Sequence, residues 1–435
     1  MAAFSTSQIS VHNAGAVERK EPEMLRYIET QENMTDEQVA LKEGIHKFAK
    51  DVLRPASVEL DKIADPEDVI KKDSILWKTL KQAYQLGYHA SSIPEEYGGL
   101  GFGGLETHIF LEEMGWASSD FAIAIAVTSF PFATVAGTMD EELIEALVKP
   151  FVEDEEAKII GCWAITEPEH GSDTLLMGTE EANDPNINWQ TSARLDGDEW
   201  VINGQKAAWV SNGTIATHAV TYLSLDPSKG MSGGGVAVIP LDLPGVTKGR
   251  ALDKIGQRAL NQGEIIFEDV RIPKKYMLME SDMYPMAMHM TLAGANAAMG
   301  AIFTGCARAA FEEALDYCKV RIQGGKPIIE HQWIQQKLFE MYTKIEAARA
   351  LSRKTMIYNS ETLPPAIELS IASKTFCTKV AFEVANDAVQ LFGGYGLSRE
   401  YVIEKIFRDA RASLVEDGCN EVLSLAGMQA VRANY

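Results

Sequence analysis

The segment ASLVEDGCNEVLSLAG, residues 412–427, sets two carboxylates, Glu416 and Asp417, side by side before Gly418, with apolar residues on both flanks. A carboxylate held against apolar surface loses hydration, its pKa rises toward neutrality, and it becomes an effective base for a carbon-bound proton. The ordinary alternative is an Asp-Gly N-cap, with Asn420 and Glu421 in the first turn of a helix. A base at a helix start is held rigidly, so the two roles are compatible. No H-E-x-x-H, P-loop, EF-hand loop or G-x-S-x-G occurs elsewhere. GFGG and GGYG neither follow a predicted strand nor open a helix, which makes them poor dinucleotide fingerprints.

Three regions of different period must position these acids. From about 35 to 155 the pattern is helical: Thr35-x-x-Gln38 is a capping-box signature, and Leu41, Ile45, Phe48 and Val52 follow at helical spacing until Pro55 stops the helix. From about 157 to 275 short β-branched runs broken by Asp-Gly, Asn-Gly and SGGG predict a β-domain of hairpins. Beyond about 286 helices return, and Ile334, Leu338, Met341, Ile345 and Ala348 form the stripe of a bundle helix. The expected boundaries are a loosely ordered tail over 1–30, a helical domain over 31–155, a middle β-domain over 156–280 and a helical bundle over 281–435.

Composition narrows the functions. With 435 residues and 46% hydrophobic content, the chain can bury a core for two or three domains. Its net charge of −22 repels phosphate backbones and anionic lipid, making nucleic acid and membrane surfaces poor partners. No run reads as an uninterrupted membrane-spanning stretch. Five scattered cysteines without a C-x-x-C argue against a disulfide framework or a metal site and suit a reducing cytosol. The N-terminus has no apolar segment of the signal-peptide kind, so a cytoplasmic location is expected.

Taken in order, WAITEPEHGSDT (163–174), AAWVSNG (207–213), DYCKVRIQGGKPIIEHQ (316–332), AVQLFGGYGLSREY (388–401) and FRDARASLVEDG (407–418) resemble the flavin-dependent acyl-CoA dehydrogenase family. The resemblance runs from about 35 to the end of the chain. It implies a mainly α protein with an N-terminal helical domain, a β-barrel-like middle domain and a C-terminal four-helix bundle. It also implies an FAD-dependent enzyme that takes a proton from an acyl-CoA thioester and passes hydride to flavin N5, giving an enoyl-CoA. The implied partners are an electron-transfer flavoprotein as acceptor and further copies of the chain, in a homotetramer that shares its FAD sites.

Residue by residue, the resemblance puts Trp163, Ile165 and Thr166 along the flavin ring, with Ser172 on the pantetheine arm. Trp209 and Ser211, two apart on a predicted strand, would offer the ring a flat face and a polar edge. Arg321 would bind the FAD pyrophosphate, Gln332 would touch cofactor, and Gln390, Gly393 and Gly394 would approach the adenosine diphosphate part of a neighbour's FAD. Asp417 stands where the family's catalytic base is often Glu, and the family's second location for that base, near 295–300, holds no carboxylate.

Some residues depart from the pattern. Gly324 replaces a Phe, Cys419 and Glu421 replace Thr and Gln, and Asn296 stands where many members have an Arg near CoA. The small residues Ala122, Ala126 and Ala297 suggest room for a branched or alicyclic acyl group. The alternatives are a nitroalkane-oxidase-like flavoenzyme, which also uses Asp before Gly, and a flavoprotein kept as a scaffold. The retained Gly171-Ser172-Asp173 favours a CoA ester.

Overall fold

Thr35 opens the first helix, Asp36–Phe48: its hydroxyl accepts the Gln38 N–H at 3.2 Å, and the Gln38 side chain accepts the Thr35 N–H at 3.0 Å. The computed structural model describes residues 34–176, 179 and 181–434, so the expected tail over 1–30 lies outside the described residues. Pro55 does not stop this helix. The chain passes through a π-helical turn, Ala49–Leu53, into a further helix, Arg54–Asp61, with Pro55 in its first turn. The wider turn accommodates the ring and asks no hydrogen bond of the missing N–H. Helices Gly104–Ala117, Ser119–Thr128 and Phe130–Gly137 follow a turn-rich connector.

Among the described residues, eight strands form the middle region: β1 (Gly161–Ala164), β2 (Ser192–Asp196), β3 (Glu199–Lys206), β4 (His218–Ser224), β5 (Gly234–Pro240), β6 (Val246–Lys248), β7 (Ile265–Pro273) and β8 (Met277–Met279). Their order is β6-β7-β3-β2-β4-β5-β8, with β1 parallel to β4 on its other side. The barrel-like expectation is therefore corrected. The end strands β6 and β8 do not pair, so the sheet stays open. Among the described residues its halves share strand pairing only where β2 meets β4, through the single pair Ser192 and Ser224. So short a seam, together with the bulge between Ile202 and Gly204, lets each half follow its own twist instead of curling to closure.

The C-terminal region is a bundle of Tyr284–Val320, Gln332–Ser360 and Ile367–Phe392, with the fourth position broken into Ile403–Ala412 and Asn420–Asn434. The stripe Ile334, Leu338, Met341, Ile345 and Ala348 is buried as its spacing requires. Glycines let Gly104–Ala117 lie almost backbone to backbone on Tyr284–Val320: a Cβ at Gly115 would stand 2.1 Å from the Ile302 carbonyl oxygen. That approach puts Glu112 and Glu113 beside Arg308, at 2.8 and 2.9 Å from its Nη1. Arg349 Nη2 reaches Glu112 at 2.8 Å, and His46 Nδ1 reaches Glu113 at 2.8 Å.

The reading that no stretch is long and apolar enough to cross a membrane is also corrected. By length and composition Ser119–Gly137 and Tyr284–Val320 both qualify, but 72% and 78% of their apolar windows are buried inside the fold, the behaviour of core helices.

Candidate active site

Asp417 stands on the corner that breaks the fourth bundle position, with φ +50° followed by φ +94° at Gly418. Two left-handed residues in succession reverse the chain, and for the non-glycine Asp417 that conformation is strained and held by its surroundings. From the bundle, Lys374 Nζ donates to the Gly418 carbonyl at 2.7 Å and to Asn420 Oδ1 at 2.8 Å. From the β-domain side, Ser172 Oγ accepts the Cys419 N–H at 2.9 Å. The alternative Asp-Gly N-cap does not form: the next helix begins at Asn420, and Asp417 lines a cavity instead.

That cavity, about 720 Å³, lies between the β-domain and the broken bundle position. Trp163, Ile165, Thr166, Ser172, Trp209 and Ser211 share its wall with Glu416 and Asp417, so the structure gathers these sequence-predicted residues in one place. Trp163 stands on β1, and the chain beyond it is braced from below. Lys206 Nζ donates to the Ile165 carbonyl at 3.0 Å and to Glu167 Oε1 at 2.7 Å, both side chains being fully buried. The Ala207 N–H bonds the Thr166 carbonyl at 2.8 Å.

Trp209 and Ser211 do not lie on a strand as expected. β3 ends at Lys206, and the segment after it is a turn tied back at a single bridge between Ser211 and Gln262. Gln262 Nε2 donates to the Trp209 carbonyl and to Ser211 Oγ, each at 3.2 Å. The indole of Trp209 is left 57% exposed, a free apolar face on the wall.

Burial raises the Asp417 carboxyl to about 6, with Lys374 pulling the other way. Burial raises Glu416 further, to about 7, against the hydrogen bond from Gln257 Nε2 at 2.9 Å, and the neighbouring Asp417 charge adds to the rise. Lys254, Gln257, Gln262, Ile123 and Met299 also line the wall, and none was singled out from the sequence. The glycine and glutamine punctuation of DKIGQRALNQG was the available signal, since such a segment between strands supplies backbone turns and polar side chains together. Ala122, Ala126 and Ala297 do not line this wall, so the expectation of a branched or alicyclic group draws no support from them.

A second cavity, about 880 Å³, opens where the Tyr284–Val320 and Ile367–Phe392 helices end. Arg321, Gln390, Gly393 and Gly394 line it; Gln332, exposed at the start of its helix, does not. A Cβ added at Gly393 or Gly394 would meet nothing within 4 Å, so bare backbone faces the opening. Gly324, the departure from the family's Phe, forms with Gly325 the two-residue turn of a small hairpin, at φ +64° and +82°. An aromatic side chain is poorly suited to that backbone.

The comparisons with known proteins follow the same layout. The acyl-CoA dehydrogenase N-terminal, middle and C-terminal domains match residues 35–163, 162–270 and 285–431. The short-chain specific acyl-CoA dehydrogenase of Clostridium acetobutylicum is 30% identical over 395 residues, covering 90% of this chain and 97% of the relative. The chain belongs to the acyl-CoA dehydrogenase family. Among solved structures, butyryl-CoA dehydrogenase of Megasphaera elsdenii superposes with a TM-score of 0.81 at 29% identity, over 92% of this chain and 99% of that one. A nitroalkane oxidase superposes at 0.82 over 92% and 96%, but at 24% identity this likeness is one of fold alone.

As an acyl-CoA dehydrogenase, the protein is an FAD-dependent oxidoreductase acting on CH–CH bonds. The residues present fit that cofactor. The first cavity offers the indoles of Trp163 and Trp209 and the hydroxyls of Thr166 and Ser211 to a flat, polar-edged ring, and the second offers a guanidinium beside bare backbone to a diphosphate.

Proposed function

We propose that Asp417 is the base that removes the α-proton of an acyl-CoA thioester in the first cavity. Bound FAD supplies the acceptor for the hydride that leaves the neighbouring carbon. Asp417 contributes a carboxylate at the apolar wall, positioned by the lysine and serine bonds on either side of its corner. The observation that carries the reading is that strained corner: an Asp held at positive φ, uncapped, on the wall it shares with Trp163 and Trp209.

A base pKa near the working pH balances availability of the ionised form against proton affinity, and burial moves Asp417 to about 6. Asp is one methylene shorter than Glu, about 1.5 Å of reach, so the acyl group sits deeper toward this corner than it would for a Glu.

In this reading Thr166 and Ser211 bond the polar edge of the ring, and Ser172 meets the pantetheine arm. Arg321, Gln390, Gly393 and Gly394 hold the diphosphate part of a cofactor shared between copies, in a homotetramer. The acceptor is an electron-transfer flavoprotein, and the cytoplasm is the setting in which five unpaired cysteines are at home.

Anaerobic titration of the yellow, FAD-loaded protein with linear, branched and alicyclic acyl-CoAs tests the proposal: at least one bleaches the flavin. Bleaching by nitroethane and by no thioester would transfer the site to nitroalkane oxidation, and no bleaching by either would leave a flavoprotein scaffold.

A further inference from the structure

Beside Asp417 the cavity carries a polar wall that removal of an α-proton does not use. Gln257 is 1% exposed and, like Asp417, a non-glycine residue at positive φ, +51°. Its backbone N–H donates to Asp409 Oδ1 at 2.5 Å, and its side-chain Nε2 donates to Glu416 Oε2 at 2.9 Å. Gly256 makes this placement possible, because a Cβ there would stand 2.7 Å from the Arg408 backbone. A buried amide held in a strained conformation and aimed at a cavity carboxylate is a built feature. Lys254 lies on the same wall and donates to the Leu260 carbonyl at 2.7 Å and to Gln262 Oε1 at 2.9 Å. An ammonium has three protons and a carboxylate two oxygens, so each keeps capacity beyond those bonds.

We infer that Glu416 and Lys254 form a specificity site for an acyl group carrying a neutral hydroxyl beyond its reacting carbons, in preference to a plain alkyl chain. The inference rests on the reading that this cavity receives an acyl thioester. A hydroxyl both donates and accepts, matching a carboxylate and an ammonium on one wall. A cationic tail would face Lys254 and Arg411, and an anionic one would face Asp253, Glu416 and Asp417. Burial also brings Glu416 up to about 7 and Lys254 down to about 8, which weakens the hold of either on a fully charged partner. An alkyl chain packed here would leave the remaining oxygen of Glu416 and the remaining proton of Lys254 unmet beside their bonds to Gln257, Leu260 and Gln262, the situation in which a site built for a hydroxyl rejects the analogue lacking it.

The test is anaerobic reduction of the FAD-loaded protein by hexanoyl-CoA, by its γ-, δ- and ε-hydroxy analogues, and by ω-amino and ω-carboxy analogues of the same length. One hydroxy analogue is expected to exceed hexanoyl-CoA in kcat/KM by at least about tenfold. Glu416→Leu should erase that preference, chiefly by raising KM for the hydroxy analogue, and Glu416→Gln, which keeps a polar tip, should restore part of it. If Glu416→Leu does not fold, Gln257→Leu serves as the second variant, with the same loss expected. Hexanoyl-CoA matching every hydroxy analogue, or a charged analogue proving best, overturns the specificity site and leaves the thioester reading intact. Flavin that no thioester reduces overturns both.

Discussion

Two pairs of neighbouring acids lie inside this protein, and their surroundings drive them in opposite directions. Burial pushes all four toward the neutral form. At Glu112 and Glu113 it is outweighed by the guanidiniums of Arg349 and Arg308, which hold Glu112 well below the carboxylate range and Glu113 at about 2. At Glu416 and Asp417 the opposing groups are an amide and lysines engaged elsewhere, so burial prevails and the carboxyls rise to about 7 and about 6. The difference lies in what faces each pair. Two arginines make one pair a permanent anion that fastens the N-terminal helices to the bundle, whereas a cavity on one side leaves the other pair able to take up and release a proton.

The contrast is broken most severely by removing its arginine. Arg308→Met removes the guanidinium that two buried carboxylates share, leaving Glu112 to Arg349 and Glu113 to His46, and stability should fall by about 3–5 kcal/mol, read as a lower urea midpoint. A midpoint within error of the wild type would mean that the cluster is not what fastens these helices. Next in size is Gly418→Ala. At φ +94° a Cβ would stand 2.7 Å from Leu175 Cδ1, so strain of about 1–3 kcal/mol and displacement of Asp417 are expected. A shift of about 1 Å there costs about 10²-fold in rate, measured by stopped-flow flavin reduction. Unchanged rates would show that the corner does not aim the base.

The pH dependence sharpens the contrast with a smaller effect. Asp417 and Glu416 bind protons more tightly folded than unfolded, so their stabilising contribution is full below about pH 4 and is lost as pH rises through about 7. Glu113 has the opposite sign: its contribution is present above about pH 4.5 and is lost as pH falls toward about 2. Urea midpoints of Glu416→Gln should therefore decline less steeply than the wild type between about pH 5 and pH 8. The rate of flavin reduction should meanwhile rise with pH through about 6, as Asp417 ionises. Parallel midpoint curves, or a rate flat across that range, would count against the assignment.

Much of this was readable from residue types where local chemistry decides. The capping box at Thr35 and the buried stripe from Ile334 to Ala348 depend only on neighbours within a few turns, and both formed as spacing requires. The family motifs likewise brought Trp163, Thr166, Ser172 and Asp417 to one cavity.

What was not readable depends on long-range partners. Pro55 is carried by a π-helical turn, and Trp209 sits on a turn set by Gln262 some fifty residues away in the chain. The sheet stays open because β2 and β4 share only one pair, a register that no strand encodes alone. Gln257 and Lys254 reach the site from a loop whose direction is set by Gly256 packing on Arg408. The Asp-Gly N-cap failed for a related reason: Lys374 and Ser172 claim the groups around the corner and hold it open.

The central claim is that Asp417, and not its neighbour, takes the proton. Asp417→Asn keeps the size of the side chain and removes its basicity, so the protein should still fold and carry FAD with an unchanged flavin spectrum. Its anaerobic reduction by the best acyl-CoA should slow by at least about 10³-fold, while Glu416→Gln keeps measurable turnover. Wild-type rates in Asp417→Asn together with a dead Glu416→Gln would place the base one residue earlier and contradict the account.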